Sequence, residues 1–81
     1  MNPDTVRAAL LEEIGNIAPE ADLSALPEDA DIRDALDIDS IGFLNLILAL
    51  DKRLGIQVPE ADYPRLRTLK GALGYLGPKI P

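Results

Sequence analysis

The sequence predicts an all-α fold: a small four-helix bundle with a long loop between its first and second helices and a short third helix. Three observations lead there. Apolar residues recur at helical spacing near the start of the chain and again over residues 41–54. Both runs are bounded by residues that start and stop helices. The 81 residues, 47% hydrophobic and 27% charged, match one small globular domain rather than two. A single domain over 1–81 is therefore expected, with about 77–81 as a flexible tail.

The first helix opens on Asn2 and Pro3, a capping residue followed by a proline that needs no N–H partner. Val6, Leu10, Ile14 and Ile17 follow at spacings of four, four and three, one face of a helix. Gly15, Asn16 and Pro19 are expected to close it. Glu20 to Asp39 reads as an ordered loop rich in carboxylates. Structureless loops of about 20 residues are uncommon in compact domains, so Leu23, Leu26, Ile32 and Leu36 should pin it to the core. Asp31 to Leu36 is a candidate helical turn.

Asp39 and Ser40 supply N-cap chemistry for the second helix, which should run to about Leu54. Gly55 suits its C-terminal turn, and Lys52 and Arg53 suit the negative end of its dipole. Pro59 to Asp62 begins a short third element that Pro64 should hold to about a turn. Thr68 then caps a fourth helix with Leu69, Ala72, Leu73 and Leu76 on one face, where Gly71 and Gly74 each cost about 1 kcal/mol against alanine.

At about 100° per residue, Phe43, Leu46, Ile47, Leu50 and Leu54 of the second helix share an arc wide enough to face a core. Ile41, Leu44 and Leu48 fall on a different arc, beside Asn45 and Lys52. That second apolar stripe reads as a partner-docking surface; the alternative is a helix wrapped on both sides, with the long loop covering Leu44.

Composition removes several functions. The chain has no cysteine and no histidine, which excludes disulfides, Cys/His metal sites, thiol nucleophiles and a Ser-His-Asp triad. No nucleophile has a suitable base nearby, so an autonomous enzyme is not expected. A net charge of −6 repels phosphate backbones and anionic lipid, which argues against nucleic acid and membrane partners. Twelve of the fourteen acids fall in residues 1–51, and six of the eight bases in 52–81. The basic cluster Arg65, Arg67 and Lys70 reads as intramolecular balance, and Tyr63 and Tyr75 as packing residues. Met1 to Asp4 lacks a basic or apolar leader region, no run approaches the ~20 residues that span a bilayer, and a cytoplasmic location is expected. Asp37-Ile38-Asp39 is not an EF-hand start, because Ile41 and Leu48 occupy positions that require oxygen ligands.

Ser40 stands where the positive end of a helix dipole would favour a phosphate ester, although most Asp-Ser pairs before an apolar run are plain caps. Its context is more specific. The stretch Asp31-Ile32-Arg33-Asp34-Ala35-Leu36-Asp37-Ile38-Asp39-Ser40-Ile41 resembles the acyl carrier protein family around its Asp-Ser-Leu motif. The resemblance extends through Gly55-Ile56-Gln57-Val58-Pro59, Arg67-Thr68-Leu69 and Tyr75-Leu76. It implies an acyl-carrier-like bundle whose Ser40 receives 4′-phosphopantetheine from coenzyme A through a phosphopantetheinyl transferase. Asp39 would help to position Mg²⁺ only during that attachment.

The thiol that bears cargo as a thioester would then belong to the prosthetic group. Acyl-loading and acyl-processing enzymes are the implied partners, a monomer is the default state, and lipid, fatty acid or polyketide metabolism the setting. Aminoacyl or peptidyl cargo, and an unmodified interaction module, are the alternatives. Two departures from the family matter. Asp37 stands where glycine is common, which Asp can tolerate in a left-handed turn. Gly42, Asn45, Lys52 and Arg53 stand where carriers of fatty-acid synthesis display acids, which points to a specialised, free-standing carrier with a different partner set. Part of the acidic role would fall to the loop residues Asp31, Asp34, Asp37 and Asp39, with Asp37 and Asn45 at the docking surface.

Overall fold

A computed structural model describes residues 3–79, which contain four α-helices, three short 3₁₀ segments and no strand. The α-helices are α1 (Pro3–Ile17), α2 (Ile32–Leu36), α3 (Ser40–Leu54) and α4 (Leu69–Leu76), and the 3₁₀ segments are Leu23–Ala25, Glu60–Leu66 and Gly77–Lys79. The predicted second and fourth helices are thus α3 and α4. The predicted third element is the 3₁₀ segment Glu60–Leu66, and the helical turn foreseen in the long loop is α2.

α1 turns Val6, Leu10 and Ile14 fully inward. It continues past Gly15 and Asn16 to Ile17, because Ile17 also packs against the core, and it stops before Pro19. Asn2, half of the expected start signal, lies outside the described residues. α3 buries Phe43, Leu46, Ile47, Leu50 and Leu54, the five residues of the predicted seam. Its end is closed by Gly55 in the left-handed region, whose N–H donates to the Asp51 carbonyl. α1 packs on α3 and α4, and α4 packs on Glu60–Leu66.

The long loop is tied down by side chains and backbone together. Ile32 is wholly buried, and Leu23, Leu26 and Leu36 lie against the core. The Ile32 N–H donates to the Arg67 carbonyl at 2.6 Å and the Lys70 N–H to the Glu28 carbonyl at 2.9 Å, stitching the loop to the start of α4. No polar or charged residue is buried among those described, so the centre of the bundle is held by apolar contact.

One expectation needs correction. The segment at Glu60 does not stop at Pro64 but reaches Leu66. Proline forgoes one N–H rung there, yet its carbonyl opens the next turn by accepting from the Arg67 N–H. In α4, Leu69, Ala72 and Leu76 are buried and half-buried Leu73 packs against the core with them, while Tyr75, expected as a packing residue, buries its ring and donates its hydroxyl to Asp62 at 2.6 Å. At the chain end, Gly77–Lys79 forms a 3₁₀ turn with the Lys79 ammonium 4.7 Å from the Tyr75 ring centroid. Ile80 and Pro81, the rest of the expected tail, lie outside the described residues.

Candidate functional site

The site forms where α2 hands the chain to α3. Asp31 caps α2 by accepting from the N–H groups of Arg33 and Asp34, and Asp37 closes it in the left-handed conformation at φ 55°, ψ 45°. This is the one non-glycine residue at positive φ among those described, and it sits where the resemblance stated above implies a common glycine. Ile38 then buries its side chain, and Asp39 accepts from the Gly42 N–H at 2.7 Å to cap α3. Gly42 fits that close return: a Cβ there would lie 3.0 Å from Ile38 Cγ2 and 3.2 Å from Asp39 Oδ1, so either side chain would have to shift slightly to admit one. Ser40, first residue of α3, is left exposed at the turn.

Arg33 reaches across the turn. Its Nη2 donates to Ser40 Oγ at 3.0 Å, its Nε donates to the Ile38 carbonyl at 3.3 Å, and its guanidinium carbon lies 5.8 Å from the Phe43 ring centroid. Beside Ser40, between α3 and Glu60–Leu66, opens a cleft of about 400 Å³. Phe43, Leu44 and Tyr63 give it apolar walls, and Arg33 and Arg67 give it donors.

Arg67 is pinned behind the site by an ion pair to Asp31 at 2.7 Å, while its Nε is buried without a hydrogen-bond partner. Burial by itself would raise the Asp31 carboxyl, but the Asp34 and Arg33 N–H groups and the Arg67 guanidinium outweigh it. The carboxyl therefore titrates below its ordinary value.

The residues singled out in the sequence lie on the turn that opens α3 and along the first two-thirds of α3 itself. Ser40, Asp39 and Asp37 share the turn, and Ile41, Leu44 and Leu48 emerge from α3 at 70%, 39% and 51% exposure, with exposed Asn45 among them. The loop therefore leaves the second stripe, Leu44 included, open to solvent. Within the acidic stretch, Asp31 and Asp39 are engaged as caps, and Asp34 and Asp37 are exposed. The basic cluster divides: Arg67 pairs with Asp31, and the Arg65 guanidinium lies 5.4 Å from the Tyr75 ring centroid.

Arg33 is the site residue that the sequence leaves without a role. The only signal for it is weak: a lone base among four aspartates, seven positions before Ser40. Among the described residues no group of three or more acids is arranged to hold a metal ion by itself, and no helix is long and apolar enough to cross a membrane.

The phosphopantetheine attachment site family model matches residues 4–76. An acyl carrier protein of Renibacterium salmoninarum is 29% identical over 69 residues, covering 85% of this chain and 80% of that protein. The polyketide-8 synthase acyl carrier protein 2 of Streptomyces avermitilis is 29% identical over 82 residues, covering 96% of this chain and 94% of that protein. An acyl carrier protein of Campylobacter hominis is 27% identical over 73 residues, covering 90% and 86%.

Proposed function

This chain is a carrier protein of the phosphopantetheine attachment site family, and on that footing we propose that Ser40 bears the arm and that the chain delivers acyl groups to partner enzymes. The observation that carries the proposal is the exposed Ser40 hydroxyl opening α3 beside the cleft, within the matched residues.

The chemistry of the cleft fits such a group. Arg33 has no carboxylate partner among the described residues, and Arg67 keeps a buried, unpartnered Nε. Arg67 is already paired with Asp31 and its free Nε is buried, while Glu60 adds a carboxylate, so the surplus donor of the walls is Arg33. That surplus suits a phosphate and the amide carbonyls of a pantetheine chain, and Phe43, Leu44 and Tyr63 suit its carbon skeleton.

In attachment, Ser40 Oγ is the nucleophile. It forms a bond to the pantetheine-bearing phosphorus of coenzyme A, its proton passes to a base of the transferase, and the nucleotide half leaves as a bisphosphate. Asp39 keeps one oxygen on the Gly42 N–H and offers its carboxylate to Mg²⁺ held jointly with the transferase. Once attached, the group supplies the thiol on which cargo rides as a thioester. Ile41, Leu44 and Leu48 form the surface read by the transferase and by acyl-loading and acyl-processing enzymes, with Asn45 and Asp37 at its border. Gly42, Asn45 and Lys52 leave that surface poor in acids, which favours partners of a specialised lipid or polyketide pathway over those that read a negative helix.

The test is intact mass after incubation with a broad-specificity phosphopantetheinyl transferase, Mg²⁺ and coenzyme A, run beside Ser40→Ala. A gain of one phosphopantetheine in the parent alone is expected. A folded parent that gains nothing with transferases of both broad types would turn the assignment towards an unmodified interaction module.

A further inference from the structure

Arg33 is held by three contacts drawn from different parts of the turn. Nε is fixed on the Ile38 carbonyl, the guanidinium lies over the Phe43 ring, and Nη2 ends on Ser40 Oγ. The carboxylates that pair elsewhere take Arg7, Arg53 and Arg67, and among the described residues none pairs with Arg33, although Asp34, Asp37 and Asp39 are near it in sequence. A fixed cation thus faces a neutral hydroxyl. Charge-assisted hydrogen bonds are roughly twice as strong as neutral ones, and the planar guanidinium fork matches a phosphate as an ammonium does not. A phosphate esterified to Ser40 Oγ has its charged oxygens two bonds from the atom that Arg33 already holds.

We propose that Arg33 is a positioning residue that clamps the phosphodiester on Ser40 and so holds the root of the arm on the cleft side of α3. The inference rests on the attachment reading above, and it concerns a residue whose placement comes from α2 and not from the Asp-Ser pair. In the unloaded protein Arg33 fixes the Ser40 side chain by donating to it, which leaves the serine proton free to depart. In the loaded protein the same donor turns to the phosphate.

The experiment is a cycle of loaded and unloaded wild type, Arg33→Gln and Arg33→Lys, each checked by intact mass and followed by urea unfolding and phosphorus NMR. Comparing two forms of one variant cancels whatever the substitution costs the fold. Loading is expected to raise the folding equilibrium constant of the wild type roughly two- to five-fold more than that of Arg33→Gln, with Arg33→Lys between them. The gap should shrink in high salt, because the clamp is partly exposed. The phosphorus resonance of Arg33→Gln should move away from the wild-type position. If a variant resists loading, the Arg33 Nε–H resonance of the wild type, expected to shift on loading, gives the same answer.

No mass gain in the wild type overturns the attachment reading and the clamp with it. A mass gain with equal loading effects and an unmoved Arg33 or phosphorus resonance overturns the clamp alone.

Discussion

Asp37 occupies the left-handed region, where a Cβ crowds the following carbonyl and most side chains pay about 1–2 kcal/mol. Aspartate is among the few residues that tolerate it, and its exposed side chain lets the backbone effect be read in isolation. Asp37→Ala is expected to lower stability by about 1 kcal/mol, whereas Asp37→Gly should be neutral or slightly stabilising, both measured as urea midpoints. Equal losses in the two variants would mean that the turn does not depend on φ at this position. Gly71 poses the opposite problem. Its helix propensity favours alanine by about 1 kcal/mol, but a Cβ there would sit 2.6 Å from the Arg65 carbonyl oxygen. Backbone cannot yield as a side-chain tip can, so Gly71→Ala should destabilise by about 1–3 kcal/mol. At Gly74 a Cβ meets nothing within 4 Å, and Gly74→Ala should gain up to about 1 kcal/mol. From sequence the two glycines look alike, because what separates them is the approach of Glu60–Leu66, a long-range fact.

At the scale of elements, α3 was the most legible part of the chain. Its caps are local chemistry and its seam follows from winding alone, which is why Phe43, Leu46, Ile47, Leu50 and Leu54 are legible in the sequence. Less could be read where tertiary packing decides. The reach of Glu60–Leu66 past Pro64, and the depth to which Tyr75 is buried in α4, depend on how those segments meet the bundle. Arg33 carries little sequence signal of its own because its position follows from the handover between α2 and α3 rather than from any motif. The two faces of α3 should separate stability from recognition. Leu46→Ala empties a position only 1% exposed and is expected to cost about 2–5 kcal/mol. Leu48→Ala, at 51% exposure, should stay within about 0.5 kcal/mol of the parent while slowing loading by the transferase. A Leu48 variant that unfolds early would place that residue in the fold rather than on the proposed docking surface.

Over the whole molecule, the acidic first part and the basic last part are folded against each other. Arg53 reaches Glu12 and Glu13 of α1, Arg67 reaches Asp31, and two backbone bonds join Glu28 and Ile32 to the start of α4. Exposed pairs such as those of Arg53 contribute little singly. Asp31 differs, since one carboxylate caps α2 and holds Arg67 at the edge of the cleft. Its folded-state value lies below the ordinary 3.8, so in acid the unfolded chain takes up the proton first. The stabilisation is therefore complete above about pH 4 and is lost as pH falls through the folded-state value. Protonating the other carboxylates relieves the repulsion of a chain with net charge −6, an opposing effect shared by wild type and variant. The difference between them isolates Asp31. Asn is as good an N-cap as Asp but carries no charge, so Asp31→Asn should cost little more than the ion pair at neutral pH. Its urea midpoint should fall less steeply than that of the wild type below about pH 4, and parallel midpoints down to pH 2.5 would show that Asp31 holds Arg67 without coupling the joint to acid.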